Sequence, residues 1–189
     1  IVVQISTAGM EALKAEIVVA LEQVLNPQAI LIKNDGKMRS AEGLESYVEV
    51  ALGEVPELVP LIENGTCLLA PVLNGQKTGW FYDHRMNRAR LQHYVQGKRV
   101  LDVFSYVGGW GLQAANAGAA EVTCVDASKQ ALDVVVEAAG MNDLQGPVHC
   151  LQGDAFDALK ELKAEQQRFD VVVVDPPAFI QKRKDIRKG

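Results

Sequence analysis

The sequence predicts an α/β protein in which a doubly wound parallel sheet follows a small α+β module. From Arg99 onward, strand and helix patterns alternate strictly, the rhythm of βαβ units. The strands are nearly all apolar, Val171-Val172-Val173-Val174 being the extreme, as a sheet covered by helices on both faces requires. The composition is globular: of 189 residues, 48% are hydrophobic and 23% charged, which excludes a disordered or collagen-like chain.

Residues 1–74 form the first module. Ile1–Ser6 is rich in β-formers, and Met10–Leu25 sets Leu13, Ile17, Ala20, Leu21 and Val24 at helical spacing until Asn26-Pro27 stops it. Ala29–Lys33 is a short strand, followed by a polar stretch. Leu58–Glu63 and Thr66–Leu73 are then joined through Asn64-Gly65, the dipeptide of a tight hairpin turn. Residues 75–98 lead into the second domain, with a strand expected at Gly79–Asp83 and a basic helix at Arg85–Val95. Residues 99–189 carry the alternating units. Strands are expected at Arg99–Phe104, Glu121–Val125, Val148–Leu151 and Asp170–Asp175, and helices at Gly109–Ala117, Ser128–Ala139 and Ala155–Ala164.

The longest apolar stretches are far shorter than the ~20 residues that cross a bilayer, so no membrane association is expected. Cys67, Cys124 and Cys150 are odd in number and widely spaced. They suggest neither a disulfide framework nor a zinc site, and they fit a reducing cytoplasm. The net charge of −5 conceals two basic segments, Lys77–Arg99 and Lys182–Gly189, with net charges of +5 and +4. Either could meet a polyanion, though a solvated helix face is the commoner use of such charge.

Ligands of open α/β sheets bind at the carboxyl ends of the strands, so the polar residues there carry the functional signal. The first strand ends in Asp102-Val103-Phe104 and enters Ser105-Tyr106-Val107-Gly108-Gly109-Trp110-Gly111, a glycine-rich turn into a helix. The second ends on Asp126, 18 residues after Gly108, where a carboxylate can accept from both ribose hydroxyls of an adenosine-containing cofactor. Helix capping is the structural alternative, but Ser128 is itself a competent cap. After the third strand, Asp154 beside Ala155 suits an adenine amino group and a helix cap equally. The fourth runs into Asp175-Pro176-Pro177-Ala178-Phe179, a loop stiffened by two prolines.

These strand ends resemble those of class I S-adenosylmethionine-dependent methyltransferases. Two segments, Gly75-Gln76-Lys77-Thr78-Gly79-Trp80-Phe81-Tyr82-Asp83-His84-Arg85-Met86-Asn87-Arg88 and Val100–Gly109, are similar to signatures of the bacterial large-subunit ribosomal RNA cytosine-C5 methyltransferases. The resemblance covers residues 75–180 with specific motifs and the first module more weakly. It implies a Rossmann-like methyltransferase sheet that binds S-adenosyl-L-methionine and acts on ribosomal RNA. Phe104, Ser105 and Gly108 would then line the methionine and ribose side of the cofactor with Asp102 supporting the loop, Asp126 would hold the ribose hydroxyls with Ser128 also among the cofactor-binding residues, and Asp154 with Ala155 would hold the adenine. Asp175, with Pro176 and Phe179, would be the substrate end, and Lys77, Arg85, Arg88 and Arg90 would contact RNA phosphates.

Cytosine-C5 chemistry needs a thiolate that adds to C6, and the three cysteines, two of them inside apolar strands, are expected to be structural. Family members place that cysteine after the next strand and carry seven strands and a preceding RNA-binding module. With four strands and Ile1 at its start, the chain is expected to be a piece of a longer protein. Three alternatives remain. An N-methyltransferase would use Asp-Pro-Pro and an aromatic residue on an exocyclic amine. A non-catalytic RNA-binding module would need only the basic segments. A nicotinamide dehydrogenase is disfavoured because Gly108, Gly109 and Gly111 do not follow the dinucleotide spacing.

Overall fold

The computed structural model describes residues 1–76 and 78–177. Two compact units are present, one of Ile1–Val59 with Ala70–Phe81, the other of Pro60–Leu69 with the chain from Tyr82 onward.

In the first unit, β1 (Val2–Val3), α1 (Ala8–Ala12), α2 (Lys14–Leu25), β2 (Ile30–Asn34) and β3 (Tyr47–Leu52) follow one another. The expected single helix divides at Leu13. Thr7 caps α1 through its hydroxyl, and α2 ends where Asn26 turns left-handed at φ 42° ahead of Pro27. β2 lies at the centre, parallel to β1 and antiparallel to β3, and Ile30, Leu31 and Ile32 are wholly buried. β3 falls in the stretch expected to be polar and irregular. Its Tyr-Val-Glu-Val alternation forms the sheet edge, although Val48 and Val50 remain exposed. No strand forms at Gly79–Asp83. Gly79 takes φ +90° and packs so closely on Val72 that a Cβ would come within 2.9 Å of the Val72 Cα, so the chain turns there.

The second unit takes most of the hairpin β4 (Val59–Glu63) and β5 (Thr66–Ala70), which the sequence assigns to the first module. Asn64 and Gly65 both have positive φ, 52° and 81°, as a twisted two-residue hairpin turn demands. Contacts distant in sequence draw the hairpin into this unit. The Asn64 side chain donates to the Arg85 carbonyl and to Gln113 Oε1, and the Asn142 side-chain amide brackets the Cys67 main chain with two 2.9 Å bonds. Then come α3 (Arg85–Leu91), β6 (Arg99–Val103), α4 (Gly111–Asn116), β7 (Glu121–Asp126), α5 (Lys129–Ala139), β8 (Val148–Gln152), α6 (Ala155–Ala164) and β9 (Val171–Val174).

The last four strands form one parallel sheet in the order β8-β7-β6-β9, with Val100 opposite Val122 on one side and Val171 on the other. Right-handed crossovers that step outward through α4 and α5 and then return through α6 put the first two helices on one face and α6 on the other. Side chains alternate accordingly. Leu101, Val103 and Val125 form a core with Ala155 and Ala158 of α6, while Asp102 bonds to the start of α4 on the opposite face. The direction of progression reverses at β6, so the topological switch point lies between the carboxyl ends of β6 and β9.

Candidate functional site

A strained loop joins β6 to α4. Phe104 and Tyr106 both sit at positive φ, 65° and 49°, and Gly108 follows at 77°. Left-handed backbone at two aromatic residues is unfavourable in isolation, and such strain persists where surrounding bonds enforce it. Here Ser105 N–H donates to the Val125 carbonyl and Tyr106 N–H donates to Asp126 Oδ2 at 2.8 Å. The glycines serve packing as well as turning. A Cβ on Gly108 would press on Leu112 and Val135, and one on Gly111 would lie 2.6 Å from Cys124 Sγ.

Asp126 is half-buried and braces two loops: Oδ2 accepts from Tyr106 N–H and Oδ1 from Ser128 N–H, each at 2.8 Å. It is not the helix cap. Ser128 caps α5, its hydroxyl accepting from Ala131 N–H, so the oxygen expected to face the cofactor is engaged by the helix. Each Asp126 oxygen keeps acceptor capacity beyond the one bond it makes, which suits a pair of ribose hydroxyls. Asp154 is exposed and caps α6 by accepting from the N–H groups of Phe156 and Asp157. The Ala155 methyl faces the core under α6, which corrects its expected place against an adenine ring; the exposed apolar neighbour of Asp154 is Phe156. Phe104 also packs against that core.

Two polar atoms of the loop floor are buried without an ordinary hydrogen-bond partner, Asp102 Oδ1 and Ser105 Oγ, the latter leaning on the Cys124 thiol. Burial pushes the Asp102 carboxyl up to about 7, opposed by the Gly111 N–H and the Arg88 charge and reinforced by Asp175 and Asp126. Orphaned acceptors below a strained loop, flanked by partly open carboxylates on neighbouring strands, fit a polar cofactor with hydroxyl and amino donors.

Asp175 lies just past β9, where its backbone N–H reaches the Val103 carbonyl and its Oδ2 accepts from the Trp110 indole N–H at 3.2 Å. The His84 ring stands 5.7 Å from the Trp110 ring, with Nε2 4.0 Å from the same Oδ2. Sequence reasoning passed over His84 and Trp110 because only the fold brings residues 84, 110 and 175 together. Pro176 is exposed beside Asp175, and Phe179, like Lys77, falls outside the described residues.

Of the expected phosphate contacts, Arg85 and Arg90 are exposed on α3. Arg88 is not. Its guanidinium is buried and donates to both Glu63 carboxylate oxygens, at 2.6 and 3.1 Å, which withdraws it from any RNA. Burial makes two of the three cysteines poor nucleophiles. Cys124 is fully buried and its thiol is held far above its usual range by desolvation; Cys150 is raised for the same cause; and Cys67 lies half-buried in the hairpin. Among the described residues there is no cluster of potential metal ligands, and no helix is long and apolar enough to cross a membrane.

Comparison with known proteins gives the family and the fold. Residues 20–186 match the family model of S-adenosylmethionine-dependent methyltransferases. The Ribosomal RNA large subunit methyltransferase I of Erwinia tasmaniensis is 36% identical over 188 residues, covering 98% of this chain and 48% of that protein. A solved structure from Streptococcus mutans, described as a SAM-dependent methyltransferase, superposes with a TM-score of 0.80 at 25% identity, covering 98% of this chain and 49% of the other. A methyltransferase structure in complex with SAH aligns at 26% identity with a TM-score of 0.79, covering 97% of this chain and 47% of the other. The chain thus spans about half the length of the curated relatives it matches.

Proposed function

This chain belongs to the S-adenosylmethionine-dependent methyltransferase family, and from that premise we propose that it transfers a methyl group to a base of ribosomal RNA, C5 of a cytosine in the large subunit. One observation carries the reading. Around the strained Phe104–Gly108 loop that follows β6, the two strands flanking β6 each deliver a carboxylate, Asp126 at the end of β7 on one side and Asp175 just past β9 at the switch point on the other. A cofactor between the first carboxylate and a base at the second would lie across the crevice where α/β sheets bind ligands.

When bound, S-adenosylmethionine supplies an electrophilic methyl group. The residues divide the remaining work. Asp126 accepts from the ribose hydroxyls through the acceptor capacity its two loop bonds leave free, and Asp154 with Phe156 borders the adenine. The Ser105 hydroxyl, which otherwise meets only the Cys124 thiol, takes the methionine end. Asp175, followed by the rigid Pro176-Pro177 pair, accepts from the exocyclic amino group of an extruded base, and the exposed Arg85 and Arg90 hold phosphates. Cytosine C5 becomes nucleophilic only after a thiolate adds to C6. The three thiols present are buried or half-buried within secondary structure, so on this reading the thiolate comes from outside these 189 residues.

A second reading keeps the cofactor and moves the acceptor. Asp175-Pro176-Pro177 beside two aromatic rings also suits methylation of an exocyclic amine, which needs no thiolate. The two are separated by incubating the full-length protein, which on the first reading includes the segment that supplies the thiolate, with isotopically labelled S-adenosylmethionine and unmodified ribosomal RNA, then identifying the labelled nucleoside by mass spectrometry. The expected product is 5-methylcytidine; an N-methylated adenosine, cytidine or guanosine would establish the second reading, and unlabelled RNA would refute both.

A further inference from the structure

The roles assigned so far leave Trp110 unused, although it bridges the switch point. Its indole N–H crosses from the loop after β6 to Asp175 Oδ2 after β9 at 3.2 Å. The other side of the ring is fixed. The Arg88 guanidinium sits 5.9 Å from the indole, and Arg88 is itself held by both oxygens of buried Glu63. Gln113 Nε2 donates to Glu63 Oε1 at 2.9 Å, and Asn64 Nδ2 donates to Gln113 Oε1 at 2.8 Å. A buried polar network running from the hairpin turn through α3 and α4 therefore sets the indole. The indole in turn sets a carboxylate that is 41% exposed and would otherwise rotate freely about its last bond.

We propose that Trp110 is a positioning residue that selects amino-bearing bases through Asp175, an inference that rests on the methyl-transfer reading above. By claiming Oδ2, the indole N–H turns Oδ1 to the open side as a fixed acceptor. A carboxylate in that pose favours cytosine, adenine or guanine, which present an exocyclic amino donor. It rejects uracil, whose carbonyl would face it acceptor to acceptor. The His84 ring, tilted 41° to the indole, closes the aromatic side of the same carboxylate.

The test compares Trp110→Phe, which keeps a ring over Arg88 but removes the donor, with Trp110→His, whose ring nitrogen can restore one. Methyl transfer to ribosomal RNA, cofactor affinity and melting temperature are measured for each in the full-length protein. Trp110→Phe should lower kcat about tenfold or more, the usual consequence of losing a hydrogen bond to a charged group, with KM for the cofactor within about twofold. Trp110→His should recover part of that loss. On an Asp175→Asn background, Trp110→Phe should have little further effect, because both changes disable one element. The inference is overturned if Trp110→Phe retains full kcat, if it loses as much on the Asp175→Asn background as alone, or if activity in both Trp110 variants merely follows melting temperature. An unsubstituted full-length protein, thiolate-bearing segment included, that binds the cofactor but methylates no RNA would instead overturn the functional reading, and this inference with it.

Discussion

Replacing Asp102 by Asn should remove a pH-dependent instability from the centre of the methyltransferase sheet. Asp102 is completely buried on β6, with Oδ2 on the Gly111 N–H at 2.8 Å and Oδ1 without a partner. Its carboxyl is pushed from 3.8 up to about 7, first by desolvation and then by Asp175 and Asp126. The folded protein therefore holds this proton more tightly than the unfolded chain does. Its contribution to stability is greatest below about pH 4, declines as pH rises, and levels off above about pH 7. Three pH units at ~1.4 kcal/mol each make the full effect about 4 kcal/mol, of which roughly 2.5 kcal/mol falls between about pH 5 and about pH 8. Asparagine keeps an acceptor for Gly111 N–H and never ionises. Urea unfolding of both proteins across that interval should show the variant gaining on the parent by this amount as pH rises. Parallel stability curves would refute the buried-carboxylate argument.

Converting exposed Arg85 and Arg90 together to Gln should reduce the slope of log affinity for RNA against log salt by about two, measured by filter binding, with melting temperature unchanged. Arg88→Gln should behave in the opposite way, leaving Glu63 buried without its cation and costing about 3–5 kcal/mol in denaturation experiments. Gly111→Ala should destabilise by about 1–3 kcal/mol, because its methyl would meet Cys124 Sγ at 2.6 Å, and Cys124→Ala in the same chain should relieve much of that cost.

What the sequence made legible was whatever depends on near neighbours. Four apolar runs announced the parallel strands and Asn64-Gly65 its turn, and Asp126 and Asp175 stand at the strand ends where the sequence puts them. Local pattern misled where distant partners decide the outcome. Arg88 lies among basic residues of an exposed-looking helix, yet Glu63, 25 residues earlier, draws it inward. That pair and the bonds from Asn64 and Cys67 also move the hairpin into the second unit, which no local feature of residues 60–69 reveals. Ala155 was placed by adjacency to Asp154, but helix geometry turns its methyl under α6 and leaves Phe156 exposed. The meeting of His84, Trp110 and Asp175 requires the order β8-β7-β6-β9, since the loops after β6 and β9 become neighbours only when β9 returns beside β6.

A cofactor site built on Asp126 at the end of β7 can be probed by calorimetric titration of S-adenosylmethionine into the intact protein and into its Asp126→Ala variant. Two charge-assisted hydrogen bonds to ribose are worth about 1.5–3 kcal/mol each, and the freed Tyr106 and Ser128 N–H groups add loss of loop order. The parent should bind saturably, and a variant that still melts cooperatively should bind at least about a hundredfold more weakly. Equal affinities in the two proteins would make Asp126 a loop brace alone and place the cofactor elsewhere.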